Sequence, residues 1–137
     1  MGYTHYWHRE TLWIPENLWA KALERVRPLI ERAEKAELIH DVQVDGDMIF
    51  FNGQCETFVV EREFRGSVYN GITFSFCKTR RRDYDPVVVA CLLHLTEVLG
   101  PETGFGWSTD GRYPEDHASG LEFAGMTIDT APAPEQD

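Results

Sequence analysis

The segment Pro86 to Leu99 (PVVVACLLHLTEVL) constrains the fold more than any other, because it is apolar along nearly its whole length. A helix without a polar face has to be covered on every side. The run is long enough to be a buried helix, and Gly100-Pro101 is its expected stop. The remaining chain must supply the cover, and 137 residues with 42% hydrophobic content hold enough material for one core and not for two. Residues 1–130 are therefore expected to form a single domain, and the tail 131–137, with its two prolines and acidic or amide residues, to be disordered.

Several other elements are legible from their periodicity. Gly2 to His8 reads as an aromatic and β-branched first strand, with Tyr3, His5 and Trp7 on one face and Thr4, Tyr6 and His8 on the other. Leu18, Ala22, Val26, Leu29, Ile30 and Ala33 recur at helical spacing after Pro15, and Pro28 predicts a kink or a break near Arg27. Met48–Phe51 and Glu56–Val60 read as a hairpin turning at Asn52-Gly53, followed by a strand from Ile72 to Cys77 and a short one near Phe105–Ser108. The order β-α-β-β-β-α-β implies an α+β two-layer sandwich, a mixed or antiparallel sheet of about five strands with two helices on one face. A ferredoxin-like variant with an added hairpin strand is the nearest common form. Its expected core contains Leu18, Val26, Phe50, Phe58, Phe74, Phe76, Val89 and Leu92.

Charge narrows the function. With 23 acidic against 13 basic residues and a net charge of -10, the chain lacks the basic surface of a general nucleic-acid binder. Cys55, Cys77 and Cys91 are odd in number and have no CxxC spacing, which suits reduced thiols in a cytoplasmic protein. No segment resembles a membrane span or a secretion signal. Against this acidic background Lys78, Arg80, Arg81 and Arg82 place four cations within five positions, at the junction between the Ile72–Cys77 strand and the apolar helix. Such a junction can present cations to an anion, with arginine offering a planar pair of donors, although ion pairs with Asp83, Asp85 or Glu63 explain the same charges without a ligand.

The other chemistry-bearing residues are sparse. Tyr84 follows the basic segment, and the aromatic first strand supplies His5 and Trp7, for which packing is the ordinary role. Glu56 and Asp110 could do acid and base work only if they converge; pairing with the cations and turn formation are their ordinary explanations. The five histidines show no HxH or HExxH spacing, so no metal centre is expected, and no cofactor motif occurs.

MGYTHYW at residues 1–7, Phe51-Asn52-Gly53, Glu56-Thr57-Phe58, Cys77-Lys78-Thr79-Arg80, Tyr84-Asp85 and Ser108-Thr109-Asp110-Gly111 together resemble a family of small uncharacterised bacteriophage and prophage proteins. Its members open with MGYTHYW and carry a CKTxRxxYD segment. The resemblance implies a phage accessory protein in the host cytoplasm and transfers no catalytic residue, and Arg81-Arg82 depart from its pattern. The leading expectation is capture, without turnover, of a small anionic, nucleotide-like ligand by Lys78, Arg80, Arg81, Tyr84, His5, Trp7, Glu56 and Asp110. Two alternatives stand beside it. One is an acidic inhibitor of a host nucleic-acid-binding or defence protein, and the other is a nucleotide or phosphodiester hydrolase using Glu56, His5 or Asp110.

Overall fold

The computed structural model describes residues 3–136, so Met1, Gly2 and Asp137 of the expected first strand and tail lie outside the described residues. The chain is α+β. Strand β1 (Thr4–His8) is followed by helix α1 (Glu16–Lys35), β2 (His40–Val44), β3 (Met48–Asn52), β4 (Phe58–Glu61), β5 (Val68–Tyr69), β6 (Ile72–Thr73) and β7 (Ser75–Lys78). Helix α2 (Asp85–Thr103), β8 (Gly106–Thr109), a short 3-10 turn (Glu115–His117) and α3 (Ala118–Ala124) complete it.

Helix α2 is the apolar segment, and ten of its residues from Val87 to Thr103 are buried. It runs through the expected stop at Gly100-Pro101 and ends at Gly104, which is left-handed with φ 72°. Proline in the last turn forfeits only one bond, from position 101 to the carbonyl of Glu97, and the last turn is further held by the Thr103 hydroxyl, which donates to Leu99 O at 2.7 Å. Helix α1 likewise continues through Pro28 as one element rather than two. Its buried face of Leu18, Ala22, Val26, Leu29, Ile30 and Ala33 holds both halves to the core.

The strands pair into three antiparallel sheets, β7-β1-β8, β2-β3-β4 and β5-β6, in place of the single sheet of about five strands expected from element order. Strand β2 was not expected at all. Its sequence HDVQV is mostly polar, and a register shift between His40 and Gln43 breaks its alternation. The expected hairpin is present, with β3 and β4 pairing antiparallel from Phe51↔Phe58 to Met48↔Glu61, but its connection is longer than an Asn-Gly turn; the tight Asn-Gly turn is at Asn70 and Gly71, which with φ 52° and 78° turn β5 into β6. Asn52 instead ends β3, and Gly53 is required because the ring of Tyr84 occupies the space where a Cβ would project.

Leu18, Val26, Phe58, Val89 and Leu92 are in the core as expected, whereas Phe50, Phe74 and Phe76 are not. In β3 the inward residues are Ile49 and Phe51. In β6 and β7 they are Thr73 and Cys77, which leaves Phe74 and Phe76 56% and 54% exposed. Alternation places residues two apart on one face but does not say which face turns inward.

Two features outside the regular elements hold the frame. The guanidinium of Arg9, 3% exposed, donates to the carbonyls of Thr11, Leu12, Glu61 and Arg62, tying the segment after β1 to the end of β4. Burial lowers its pKa to about 10. The tail, expected to be disordered, lies along β8: Glu135 N–H donates to Trp107 O at 2.7 Å, and Trp107 Nε1–H to Pro132 O at 3.0 Å. A strand edge whose backbone groups would otherwise face solvent is covered by this segment. Among the described residues no helix is long and apolar enough to cross a membrane.

Candidate functional site

The basic segment forms the tight connection between β7 and α2. Thr79 is fully buried; its N–H donates to Tyr3 O at 3.0 Å and its hydroxyl to Asp85 Oδ1. Arg80 and Arg81 both take positive φ, 54° and 57°, a conformation that disfavours residues with a Cβ by roughly 1–2 kcal/mol each. Arg82 N–H closes the turn on Thr79 O at 3.0 Å. The strain is held by these bonds, and the side chains of Arg80, Arg81 and Arg82 end up on the surface. The Arg81 guanidinium lies 4.0 Å over the Tyr3 ring and 3.6 Å from Asp116.

Behind this turn is a buried polar network. His5, fully buried, places Nε2 2.7 Å from Asp85 Oδ1 and Nδ1 2.9 Å from Thr109 Oγ1. Thr109 Oγ1 also lies 3.0 Å from His117 Nε2 and accepts the Gly111 N–H at 3.2 Å. Burial pushes the Asp85 carboxyl upward, but the bonds from His5 and Thr79 outweigh it and hold it below the usual carboxylate range. His117 is pushed down, first by burial and then by the neighbouring His5. Tyr3, whose hydroxyl is 3.3 Å from His117 Nε2, is raised to about 12 by burial.

Hydroxyl, imidazole and carboxylate in sequence have the connectivity of a nucleophile, base and orienting acid. The hydrogen-bond inventory argues against that use. With His5 as the neutral Nε2–H tautomer donating to Asp85, Nδ1 accepts from the Thr109 hydroxyl, and in that arrangement the two lone pairs of Thr109 Oγ1 receive Gly111 N–H and His117 Nε2–H. No lone pair is left to attack a substrate.

The residues singled out in the sequence fall into separate groups. His5 and Trp7 face inward, Trp7 packing on Phe58 at 5.0 Å between ring centroids. Tyr84 is buried and donates to Glu56 O at 2.6 Å, and burial, with the neighbouring Cys77, pushes its pKa up. Glu56 Oε1 accepts Lys78 N–H at 2.8 Å, and Asp110 accepts Thr4 N–H at 3.1 Å and the Tyr6 hydroxyl at 3.0 Å. Of the set, Arg80, Arg81 and Asp110 are exposed and Lys78 and Glu56 half-buried, whereas His5, Trp7 and Tyr84 are buried. The three cysteines are free thiols, Cys77 raised to about 12 by burial. Among the described residues no group of three metal-ligating side chains converges.

The face missed in the sequence is the outer side of the β7-β1-β8 sheet. Cross-strand register sets Phe76, Tyr6 and Ser108 in one row and Lys78 and Thr4 in the next, so Lys78 shares the face with Phe74 and Phe76. Tyr6 and Phe74 rings are 6.0 Å apart, as are Phe74 and Phe76. On the β8 side a groove of about 670 Å³ opens between Tyr6 and Phe74 on one wall and Asp110, Tyr113, Glu115 and the tail residues Pro134–Gln136 on the other. The sequence signal was present in Thr73-Phe74-Ser75-Phe76, but with the faces exchanged. No protein-family model, curated protein or solved structure matches the chain.

Proposed function

We propose that the chain is a phage-type accessory protein that captures a small anionic, nucleotide-like ligand on the outer face of the β7-β1-β8 sheet and does not turn it over. The observation that carries this reading is the pair Phe74 and Phe76, each more than half exposed and in line with Lys78. Solvent-facing aromatic rings on a sheet are a base-stacking surface, with stacking contributing about 1–3 kcal/mol per base. The basic turn beyond Lys78 supplies the phosphate-binding charge. On this reading a base stacks on Phe74 and Phe76, and Trp7 and His5, both buried, do not meet it. Four cations in a chain of net charge -10 suit a single nucleotide better than a polymer.

A panel of mononucleotides, cyclic nucleotides and ADP-ribose-like compounds is to be screened by thermal shift and followed by calorimetry. Phe76→Ala and Lys78→Ala should each weaken binding about tenfold while leaving the melting temperature of the free protein nearly unchanged. A flat screen refutes ligand capture. The inhibitor reading is favoured by a different observation, the β5-β6 hairpin with Val68, Tyr69 and Ile72 exposed. It predicts a stable host-protein complex that Tyr69→Ser disrupts.

A further inference from the structure

The turn between β7 and α2 is unusual in the residues at its centre. Positive φ at two successive positions, 54° at Arg80 and 57° at Arg81, with Arg82 N–H closing on Thr79 O at 3.0 Å, is the pattern of a type I′ turn, which favours asparagine and glycine. The chain makes a turn of this kind once more, at Asn70-Gly71, with those residues. Two arginines in the same geometry keep a strained backbone that glycine would relieve, so the reason for them lies in their side chains.

For Arg81 that reason is inside the protein. Its guanidinium covers the Tyr3 ring at 4.0 Å and lies 3.6 Å from Asp116. Arg80 and Arg82, both exposed, and Lys78, half-buried, have no side-chain hydrogen bond or ion pair among the described residues. The carboxylates nearby are engaged elsewhere. Asp85 is bonded to His5 and Thr79 behind the turn, Glu56 Oε1 accepts the Lys78 backbone N–H, and Asp83 lines a hollow with Arg32, Leu38 and Phe123. Three cations thus stand unpaired within five positions of a chain whose net charge is -10.

Resting on the capture reading, we infer that the ligand carries a chain of two or three linked phosphates, gripped by Lys78, Arg80 and Arg82 while Arg81 holds the turn in place. A monophosphate has at most about two negative charges near neutral pH and leaves the third cation unmatched, whereas a nucleoside diphosphate or triphosphate matches all three. Lys78 follows Phe76 on the outer face, so the phosphate chain begins beyond the rings and runs out toward the turn. Arginine pairs two oxygens at once, and successive phosphates give each guanidinium its own pair.

Calorimetric titration with AMP, ADP, ATP and inorganic tripolyphosphate, without divalent cations, tests the inference. Affinity should rise about fivefold with each phosphate from AMP to ATP, the upper range for an exposed ion pair. Tripolyphosphate should bind more weakly than ATP, because it has no base to stack. The double variant Arg80→Gly, Arg82→Gln should bring ATP to the affinity of AMP, whereas Lys21→Gln, which removes an exposed charge on α1, should keep the ratio. Arg80→Gly alone should melt no lower than the native protein, since the turn accepts glycine; a lower midpoint overturns the strained-turn argument. Equal affinities for AMP and ATP overturn the phosphate grip and leave capture standing. An ATP preference that survives the double variant, or that Lys21→Gln removes as well, overturns the assignment to this turn. Tripolyphosphate binding as tightly as ATP overturns the stacking on which capture rests and keeps the grip. Failure of all four to bind overturns both.

Discussion

Truncating Phe76 and truncating Phe58 should have very different consequences for stability, although each removes the same benzyl group. Phe58 is fully buried, with its ring centroid 5.0 Å from both Trp7 and Phe51. Phe58→Ala leaves a cavity between rings that cannot close, and the expected loss is about 3–5 kcal/mol. Phe76 is 54% exposed. Full burial of a Phe side chain is worth ~1.5–3 kcal/mol, so a ring that buries less than half of itself contributes about 1 kcal/mol, and water fills the space it leaves. For a chain of this size 1 kcal/mol moves the midpoint by roughly 4 °C, so Phe58→Ala should lower melting by about 12–20 °C and Phe76→Ala by about 4 °C or less. Urea unfolding of the two variants with matched m-values gives the free energies directly. If Phe76→Ala costs as much as Phe58→Ala, the face is not open to solvent in solution, and both the inverted alternation of β7 and the proposed binding surface are wrong.

Gly53→Ala should destabilise by about 1–3 kcal/mol, because the new methyl enters the ring of Tyr84, itself buried and anchored to Glu56 O; an unchanged thermal midpoint would contradict the close approach. Acid should weaken the fold in two stages. His94 and His117 are both held below the ordinary value of 6.5, primarily by burial, so the unfolded chain binds more protons there. Stability from these two groups is complete above about pH 6.5 and declines as pH falls below it, whereas the share from Asp85, whose carboxyl is also depressed, is lost only below its ordinary 3.8. Chemical denaturation between pH 8 and pH 3 measures this, and stability that rises on acidification from pH 7 to pH 5 would reverse the sign of the argument.

What could be read from the residues was local periodicity, and what could not was which surface each element turns toward its neighbours. The buried face of α1 declares itself because its apolar residues recur at helical spacing, and α2 because its nearly unbroken apolar run is too long for a strand. The junction at Lys78–Asp85 was legible because an apolar strand, a charge cluster and an apolar helix follow one another. The inversion at Phe74 and Phe76 was not, since a hydrophobic preference for the larger side chains points the wrong way when Thr73 and Cys77 must fit against the core. Nor was the polar network, which brings together His5, Asp85, Thr109 and His117 across as many as 104 residues between bonded partners. The buried Arg9 is a similar case: its partners are backbone carbonyls, which no side-chain pattern reveals.

The buried network gains its meaning from position rather than reactivity. Its members belong to β1, β8, the first turn of α2 and the 3-10 turn before α3, so four elements are fixed to one another directly behind the outer face. Asp85 also accepts the Thr79 hydroxyl, and Thr79 holds the turn in which Arg80 and Arg81 are strained. Removing the Asp85 carboxylate would leave His5 and Thr79 as buried donors without an acceptor, a situation far more costly than the loss of one surface pair. A surface that binds a small ligand has to avoid paying ordering entropy on each encounter, and rigid support from behind accomplishes that. On the proposed reading, the groups with the most obvious chemistry, two imidazoles, a carboxylate and a hydroxyl, hold the frame, and two phenylalanines with a lysine meet the ligand.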